Sequence, residues 1–127
     1  MDIMDFTSLL AYKKGFSLAM EIFEISKSFL KEEKYSLTDQ IRRSSRSVCS
    51  NIAEAYRKRK YPKHFISKLT DSDGENSETR VWLDFALACE YINQSTFDEL
   101  EMKSKEIGKL INYMILNPNK FGSRDLL

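Results

Sequence analysis

Residues 36–60 read SLTDQIRRSSRSVCSNIAEAYRKRK, and this stretch predicts an amphipathic helix with a basic outer face. At about 100° per residue, one face collects the apolar side chains of Leu37, Ile41, Val48, Ile52 and Tyr56. The opposite face collects Arg42, Arg43, Arg46, Ser50 and Arg57. Ser36 and Asp39 form the S-x-x-D pattern that is typical of a helix start. The segment therefore predicts a helix that buries one face in a bundle and offers positive charge on the other; a merely solvated charged face is the simpler alternative.

The same stretch resembles the most characteristic segment of a known family. Tyr35–Leu37, Gln40–Arg43 and Ser50–Glu54 are similar to that segment in the four-helix-bundle proteins encoded in intervening sequences of bacterial 23S rRNA genes. Residues 10–26 resemble the first helix of these proteins, and residues 75–92 resemble the third. The family in turn resembles the accessory protein of diversity-generating retroelements. The resemblance implies an all-α, antiparallel, up-down-up-down four-helix bundle that assembles into a ring-shaped homo-oligomer, a homopentamer.

Composition fits one helical domain. The chain has 127 residues, enough to bury a substantial core, with only four glycines and two prolines. Both prolines, Pro62 and Pro118, stand at apparent helix boundaries. Apolar spacing and turn residues together predict four helices and a frayed tail. The predicted bounds are 8–29, 37–59, 63–92 and 96–116 for the helices and 117–127 for the tail.

Charge is distributed unevenly along the chain although the formal net charge is only +1. Residues 40–68 hold nine Lys and Arg against one acid, whereas residues 71–101 hold nine Asp and Glu against one base. The basic cluster predicts contacts with phosphate groups, and structured RNA, DNA or a nucleic-acid-binding protein such as a reverse transcriptase is the expected partner. The alternative is a protein–protein scaffold whose arginines pair with acidic residues of neighbouring subunits. The predicted nucleic-acid-binding residues are Arg42, Arg43, Arg46, Arg57, Lys58, Arg59, Lys60 and Lys63.

The first predicted helix carries two apolar faces. One face contains Phe16, Ala19, Met20, Phe23 and Leu30, and the nearly opposite face contains Leu18, Ile22, Ile25 and Phe29. A single core-facing stripe needs only about 100° of the helix circumference. The second face, Leu18, Ile22, Ile25 and Phe29, is therefore predicted to form a subunit interface; the alternative is a helix buried centrally in its own bundle.

Residues 71–80, DSDGENSETR, contain no hydrophobic side chain, and composition alone favours a loop. A calcium loop of the EF-hand type is disfavoured because Gly74 falls at the fourth position instead of the sixth. The resemblance implies one continuous helix in which Ser72, Asn76 and Ser77 let another helix approach closely. Glu78 would then need a partner, which the Arg42 and Arg43 pair or Asn51 would provide.

Nothing in the sequence indicates catalysis, a metal or a cofactor. The two cysteines, Cys49 and Cys89, lie within helical patterns and are expected to be small buried hydrophobes. His64 is the only histidine and lies in the basic cluster. No apolar run approaches the roughly 20 residues that cross a bilayer, and residues 1–8 lack the pattern of a signal peptide. The sequence therefore predicts a cytoplasmic, non-enzymatic bacterial protein.

Overall fold

Four α-helices make up most of the computed structural model, which describes residues 5–124. They are α1 (Leu10–Ser26), α2 (Asp39–Arg57), α3 (Pro62–Ala88) and α4 (Gln94–Leu116). Shorter helical turns lie at Phe6–Ser8, Lys31–Glu33, Lys34–Thr38 and Pro118–Phe121. Residues 5–124 contain no β-strand. Two short stretches lie outside the described part of the chain. They are residues 1–4, which belong to the stretch 1–8 without a signal-peptide pattern, and residues 125–127 of the predicted tail.

Contacts at the two ends of the bundle establish an antiparallel, up-down-up-down order. Each helix packs against its neighbours in sequence, and α4 also packs against α1. At one end, the hydroxyl of Tyr91, just after α3, donates to Glu33, between α1 and α2, at 2.7 Å. At the other end, Asp5, Lys60 and Gly122 line one cavity although they precede α1, follow α2 and follow α4. The predicted fold class is confirmed.

The core forms along the axis of the bundle, where all four helices contribute apolar side chains. Ile22 of α1 and Ile52 of α2 are fully buried there. Each such side chain contributes roughly 1.5–3 kcal/mol through its removal from water. The other large, fully buried apolar residues are Ile41, Phe65, Leu69, Leu83, Ile107 and Ile111. This shared core fixes the orientation of α2 and thereby turns its basic face outward.

The polar stretch 71–80 lies inside α3, so the predicted continuous helix is confirmed. Its buried positions carry small polar side chains whose hydrogen bonds reach the facing helices. The Ser72 hydroxyl donates to the backbone carbonyl of Val48 at 2.8 Å, and the hydroxyls of Thr79 and Ser44 share a hydrogen bond of 2.8 Å. Ser77, which was expected at this close approach, is exposed instead.

Asn76 connects α3 to α4 through two hydrogen bonds. Its amide nitrogen donates to the backbone carbonyl of Ser104 at 2.9 Å, and the Ser104 hydroxyl donates to its amide oxygen at 2.9 Å. Both residues are buried. Gly108 of α4 lies beside this pair, where a Cβ atom would make an ordinary contact of 3.4 Å with the Asn76 amide nitrogen. These pairs explain how a segment without hydrophobic residues forms an interior helix face.

Several helix ends differ from the predicted bounds. The Ser36 hydroxyl donates to Glu33 instead of capping α2, because the turn Lys34–Thr38 already supplies a carbonyl to the first N–H of α2. Helix α3 stops at Ala88, where Glu90 adopts a left-handed φ of 63° and the Tyr91 N–H reaches the Ala86 carbonyl at 2.9 Å. This pairing is typical of a helix C-terminus.

Within the described residues, the C-terminal segment 117–124 folds against the bundle, whereas fraying was expected. Pro118–Phe121 form a helical turn, and Phe121 packs against the core. The Ser123 N–H donates to the Pro118 carbonyl at 3.0 Å. The turn therefore places Gly122 and Arg124 beside the end of α2, where they line the same cavity as Lys60.

Tyr91 gives the bundle a measurable response to alkaline pH. Its hydrogen bond to Glu33 raises the pKa of the phenol to about 12. Because the folded state favours the protonated phenol, this stabilisation is complete below pH 10 and is lost as pH rises from 10 to 12. Glu33→Ala is expected to move the Tyr91 pKa down toward 10. Absorbance titration of tyrosinate, with Tyr91→Phe to assign the signal, measures the shift; identical curves for the parent and Glu33→Ala would contradict it.

Candidate nucleic-acid interface

The outer face of α2 forms an open basic groove. Because Ile41, Val48 and Ile52 fill the core, the residues on the other side of the helix face solvent. The groove has a volume of about 460 Å³ and is lined by Asp39, Arg42, Arg43, Arg46, Ser47 and Ser50. Three of these six side chains are guanidinium groups and one is a carboxylate, so the groove presents net positive charge and hydroxyl groups.

Arg43 is the member of this groove that is already paired. Its guanidinium reaches Glu75 at 3.2 Å and also contacts Glu78, both on α3. The hydrogen bond to Glu75 raises the pKa of Arg43. The Trp82 indole N–H also donates to Glu78, at 3.2 Å. The prediction that Glu78 pairs with an arginine of α2 is confirmed for Arg43, whereas Asn51 bonds within its own helix to the Ser47 carbonyl.

Arg42 and Arg46 are held by an aromatic ring instead of by acids. Their guanidinium carbons lie 4.8 Å and 5.7 Å from the centre of the Phe23 ring of α1. Such cation–π contacts are worth about 0.5–1 kcal/mol at exposed sites. The Arg42 Nε–H also donates to the Ser26 hydroxyl at 2.7 Å. Neither arginine forms an ion pair within residues 5–124, so both can still bind an anion.

The C-terminal end of α2 adds a second group of cations. Arg57, Lys58, Lys60 and Lys63 are exposed, and none of them pairs with an acid in the part of the chain that the structure describes. Arg59 differs, because its Nε–H donates to the Tyr56 carbonyl at 2.9 Å and its guanidinium lies 3.7 Å from the centre of the Tyr56 ring. A cavity of about 440 Å³ opens beside Arg57, Arg59 and Lys60.

Gly122 and Arg124 are among the lining residues of this cavity that sequence reasoning missed. Gly122 has a left-handed φ of +83°, and a Cβ there would meet the Nη1 of Arg59 at 3.1 Å. The available signal was the sequence NPNKFG, in which a proline opens a turn and a glycine closes it. Nothing local in that segment showed which helix end the turn contacts.

The residues predicted as a subunit interface lie instead in the core of the chain. Leu18, Ile22 and Phe29 are 3%, 0% and 7% exposed, and Ile25 packs partly buried against them. The physical reason is that α1 packs on both α2 and α4, which touch it from different directions. The interface assignment of Leu18, Ile22, Ile25 and Phe29 is therefore corrected.

The opposite apolar face of α1 is exposed in part, although its Ala19 is buried. Phe16 and Met20 are 51% and 43% exposed, and with Tyr12 and Ala53 they line an apolar groove of about 310 Å³ between α1 and α2. Arg46 lies at the edge of the same groove. An apolar patch of this kind is typical of a contact surface.

The two free cysteines differ in their exposure. Burial raises the pKa of the Cys49 thiol to about 11, which keeps it protonated and a weak nucleophile at neutral pH. Cys89 is exposed just after α3, contrary to the prediction that both thiols are buried. Within residues 5–124, no group of three or more His, Cys, Asp and Glu side chains is placed to hold a metal ion. No helix in that range is both long and apolar enough to span a membrane.

Comparison with known proteins agrees with the fold. The family model described as "23S rRNA-intervening sequence protein" matches residues 7–113. The chain belongs to this family. It is also similar to a crystal structure of a protein of unknown function from the S23 ribosomal protein family of Bacteroides thetaiotaomicron, with 31% identity and a TM-score of 0.76. The similarity covers 84% of this chain and 95% of that one. A search of curated proteins gave no match.

Proposed function

We propose that this family member is a non-enzymatic, self-associating bundle that binds structured RNA or a ribonucleoprotein through the basic face of α2. One observation carries the proposal: of the eight cations predicted to bind nucleic acid, only Arg43 forms an ion pair within residues 5–124. The acidic residues Glu75 and Glu78 of α3 thus pair with one arginine of α2 and leave the other predicted cations without an acidic partner among the described residues. An open row of cations releases counterions when it meets a phosphate backbone, and this release drives binding.

Binding of this kind depends on charge more than on sequence. Contacts to phosphate groups position a nucleic acid, whereas contacts to base edges specify its sequence. The core residues on the other face hold α2 against the bundle, and Arg42 and Arg46 lie against Phe23. We therefore expect binding to RNA hairpins of unrelated sequence with similar affinity. A nucleic-acid-binding protein such as a reverse transcriptase would present the same phosphate groups within its complex with RNA.

Replacing Arg46 and Arg57 together with Ala is expected to weaken RNA binding equally for unrelated sequences. The slope of log K against log salt should become shallower by roughly 1–2, because two phosphate contacts are lost. Stability should change by less than about 1 kcal/mol, since Arg57 is exposed and Arg46 loses one cation–π contact. Fluorescence anisotropy over a salt series with two unrelated RNA hairpins measures the slope.

The matched control is Lys13→Ala with Lys109→Ala, which removes the same charge from exposed positions outside both basic cavities. This control should leave the salt slope unchanged. Equal binding by the Arg46 and Arg57 variant and the parent would contradict the proposed face.

Self-association is the second part of the proposal. Support comes from the exposed apolar groove that contains Phe16 and Met20, a patch that a monomer would leave in water. The resemblance to the family implies a homopentamer. Repeating the basic face of α2 around such an assembly would add phosphate contacts with each subunit and raise affinity by avidity.

The alternative function is a protein–protein scaffold without nucleic-acid binding. The pairing of Arg43 with Glu75 and Glu78 favours it, because it shows that acids on a helix can neutralise the arginines of α2. Acidic residues of another subunit could engage Arg46 and Arg57 in the same way. Absence of RNA binding by the parent protein at low salt would support the scaffold.

A further inference from the structure

The cavity at the end of the bundle gathers four cations from two distant parts of the chain. Arg57, Arg59 and Lys60 come from the end of α2 and the turn after it, and Arg124 comes from the C-terminal segment. The cavity volume of about 440 Å³ falls within the roughly 300–1,000 Å³ typical of small-molecule sites. Four positive groups around one cavity repel one another, so a bound anion would stabilise this arrangement.

Arg59 is held in place before any ligand binds. Its guanidinium stacks on the Tyr56 ring at 3.7 Å, and its Nε–H donates to the Tyr56 carbonyl at 2.9 Å. Its Nη1 reaches the Phe121 carbonyl at 3.5 Å. Gly122 makes room for this guanidinium, since a Cβ there would meet Nη1 at 3.1 Å. A fixed guanidinium loses less side-chain entropy when it binds an anion than a mobile one.

Among residues 5–124, one carboxylate lines the cavity, that of Asp5, and it forms no ion pair with these cations. Asp5 accepts the Phe6 backbone N–H at 2.8 Å and thereby caps the turn Phe6–Ser8. Among residues 5–124, none of the four cations lies in an ion pair with an acid. The charge of the cavity is therefore available to a ligand.

We propose that this cavity binds a phosphate monoester, and that the source is the terminal phosphate of an RNA strand. A phosphate monoester carries about −1.5 to −2 charges at pH 7, more than the single charge of an internal phosphodiester, and thus suits a cluster of four cations. Guanidinium groups bind phosphate oxygens through paired N–H donors. The assignment of RNA as the source rests on the proposed function, whereas the phosphate chemistry of the cavity does not.

The test compares two RNA strands of one sequence, with a 5′-phosphate and with a 5′-hydroxyl, in fluorescence anisotropy. The parent is expected to bind the phosphorylated strand roughly tenfold more tightly, the effect of one additional charge-assisted contact. Lys60→Gln with Arg124→Gln should abolish this difference. Both residues are exposed, so the fold should persist. Lys13→Gln with Lys109→Gln removes the same charge elsewhere and should retain the tenfold difference.

Inorganic phosphate, tested by isothermal calorimetry on the same three proteins, separates the two proposals. If inorganic phosphate binds the parent and the control but not the Lys60 and Arg124 variant, the cavity is a phosphate site. This conclusion holds even if RNA does not bind the protein, a result that would contradict only the proposed function. Equal binding of both strands together with such phosphate binding identifies free phosphate or a small phosphate ester as the source. If neither probe distinguishes the Lys60 and Arg124 variant from the control, the phosphate site is overturned, whether or not RNA binds elsewhere on α2.

Discussion

Proline in place of Asn76 is expected to lower the free energy of unfolding by more than about 3 kcal/mol. Position 76 lies in the middle of the 27-residue helix α3, where proline removes a backbone hydrogen bond and clashes with the preceding turn. The substitution also removes both hydrogen bonds to Ser104, whose buried hydroxyl then has no partner; such a group costs about 1–3 kcal/mol. Chemical denaturation followed by circular dichroism measures the loss.

Asn76→Ala separates the two contributions. It removes the side-chain hydrogen bonds and keeps the backbone one. The free energy of unfolding should therefore fall only by the roughly 1–3 kcal/mol that the unpartnered Ser104 hydroxyl costs. The additional loss in the proline variant then reports the helical backbone itself. Equal stabilities for the alanine and proline variants would mean that residues 71–80 form a loop, against the structure.

The sequence was sufficient to predict α2 because its information is local. Ile41, Val48 and Ile52 recur at helical spacing and all three are buried, while arginines occupy the opposite side of the same turns. The continuity of α3 was implied by the family resemblance, and the structure agrees with it, since Leu69 before the polar stretch and Leu83 after it share a face and are both fully buried. The buried face of α3 thus continues through a stretch whose composition alone favours a loop.

The polar pairs inside the bundle depend on which helices meet. Ser44 and Thr79 share a hydrogen bond although 35 positions separate them, and Asn76 bonds Ser104 across 28 positions. Each of these residue types, taken alone, is typical of a turn or of a solvated surface. Only the packing of α3 against both α2 and α4 gives them partners. The family resemblance therefore implied the helix, but these contacts could not be assigned from the sequence.

The first helix shows a different limit. Both of its faces carry several large apolar side chains, so the sequence alone could not show which of them joins the core. The choice depends on where α4 packs, and α4 begins about 70 residues later. The lining of the cavity beside Arg59 could not be predicted either, because Arg124 is far from Arg59 in sequence and comes close to it only in the folded bundle. The subunit interface and the cavity residues therefore failed because they depend on distant helices, whereas the Ser36 cap failed for a local reason, the extra turn Lys34–Thr38 before α2.

Glu in place of Ile22 is expected to abolish folding at neutral pH. Ile22 is fully buried between the helices, and removing such a side chain alone costs about 2–5 kcal/mol. An ionised carboxylate at that position adds several kcal/mol because it has no partner there. The sum approaches the total stability of a typical domain, about 5–15 kcal/mol. Loss of the helical circular dichroism signal, together with a loss of cooperative thermal unfolding, measures the effect.

Phe16→Glu is the matched control on the opposite face of the same helix. Phe16 is 51% exposed, so the carboxylate reaches water and helicity should persist. If the exposed apolar face joins subunits, light scattering should show the parent above the 14.9 kDa of one chain and the Phe16 variant reduced toward it. A parent that is already monomeric would contradict self-association. A folded Ile22→Glu protein that loses only its oligomeric mass would instead restore Leu18, Ile22, Ile25 and Phe29 as the interface, because a core position cannot accept a charge without unfolding.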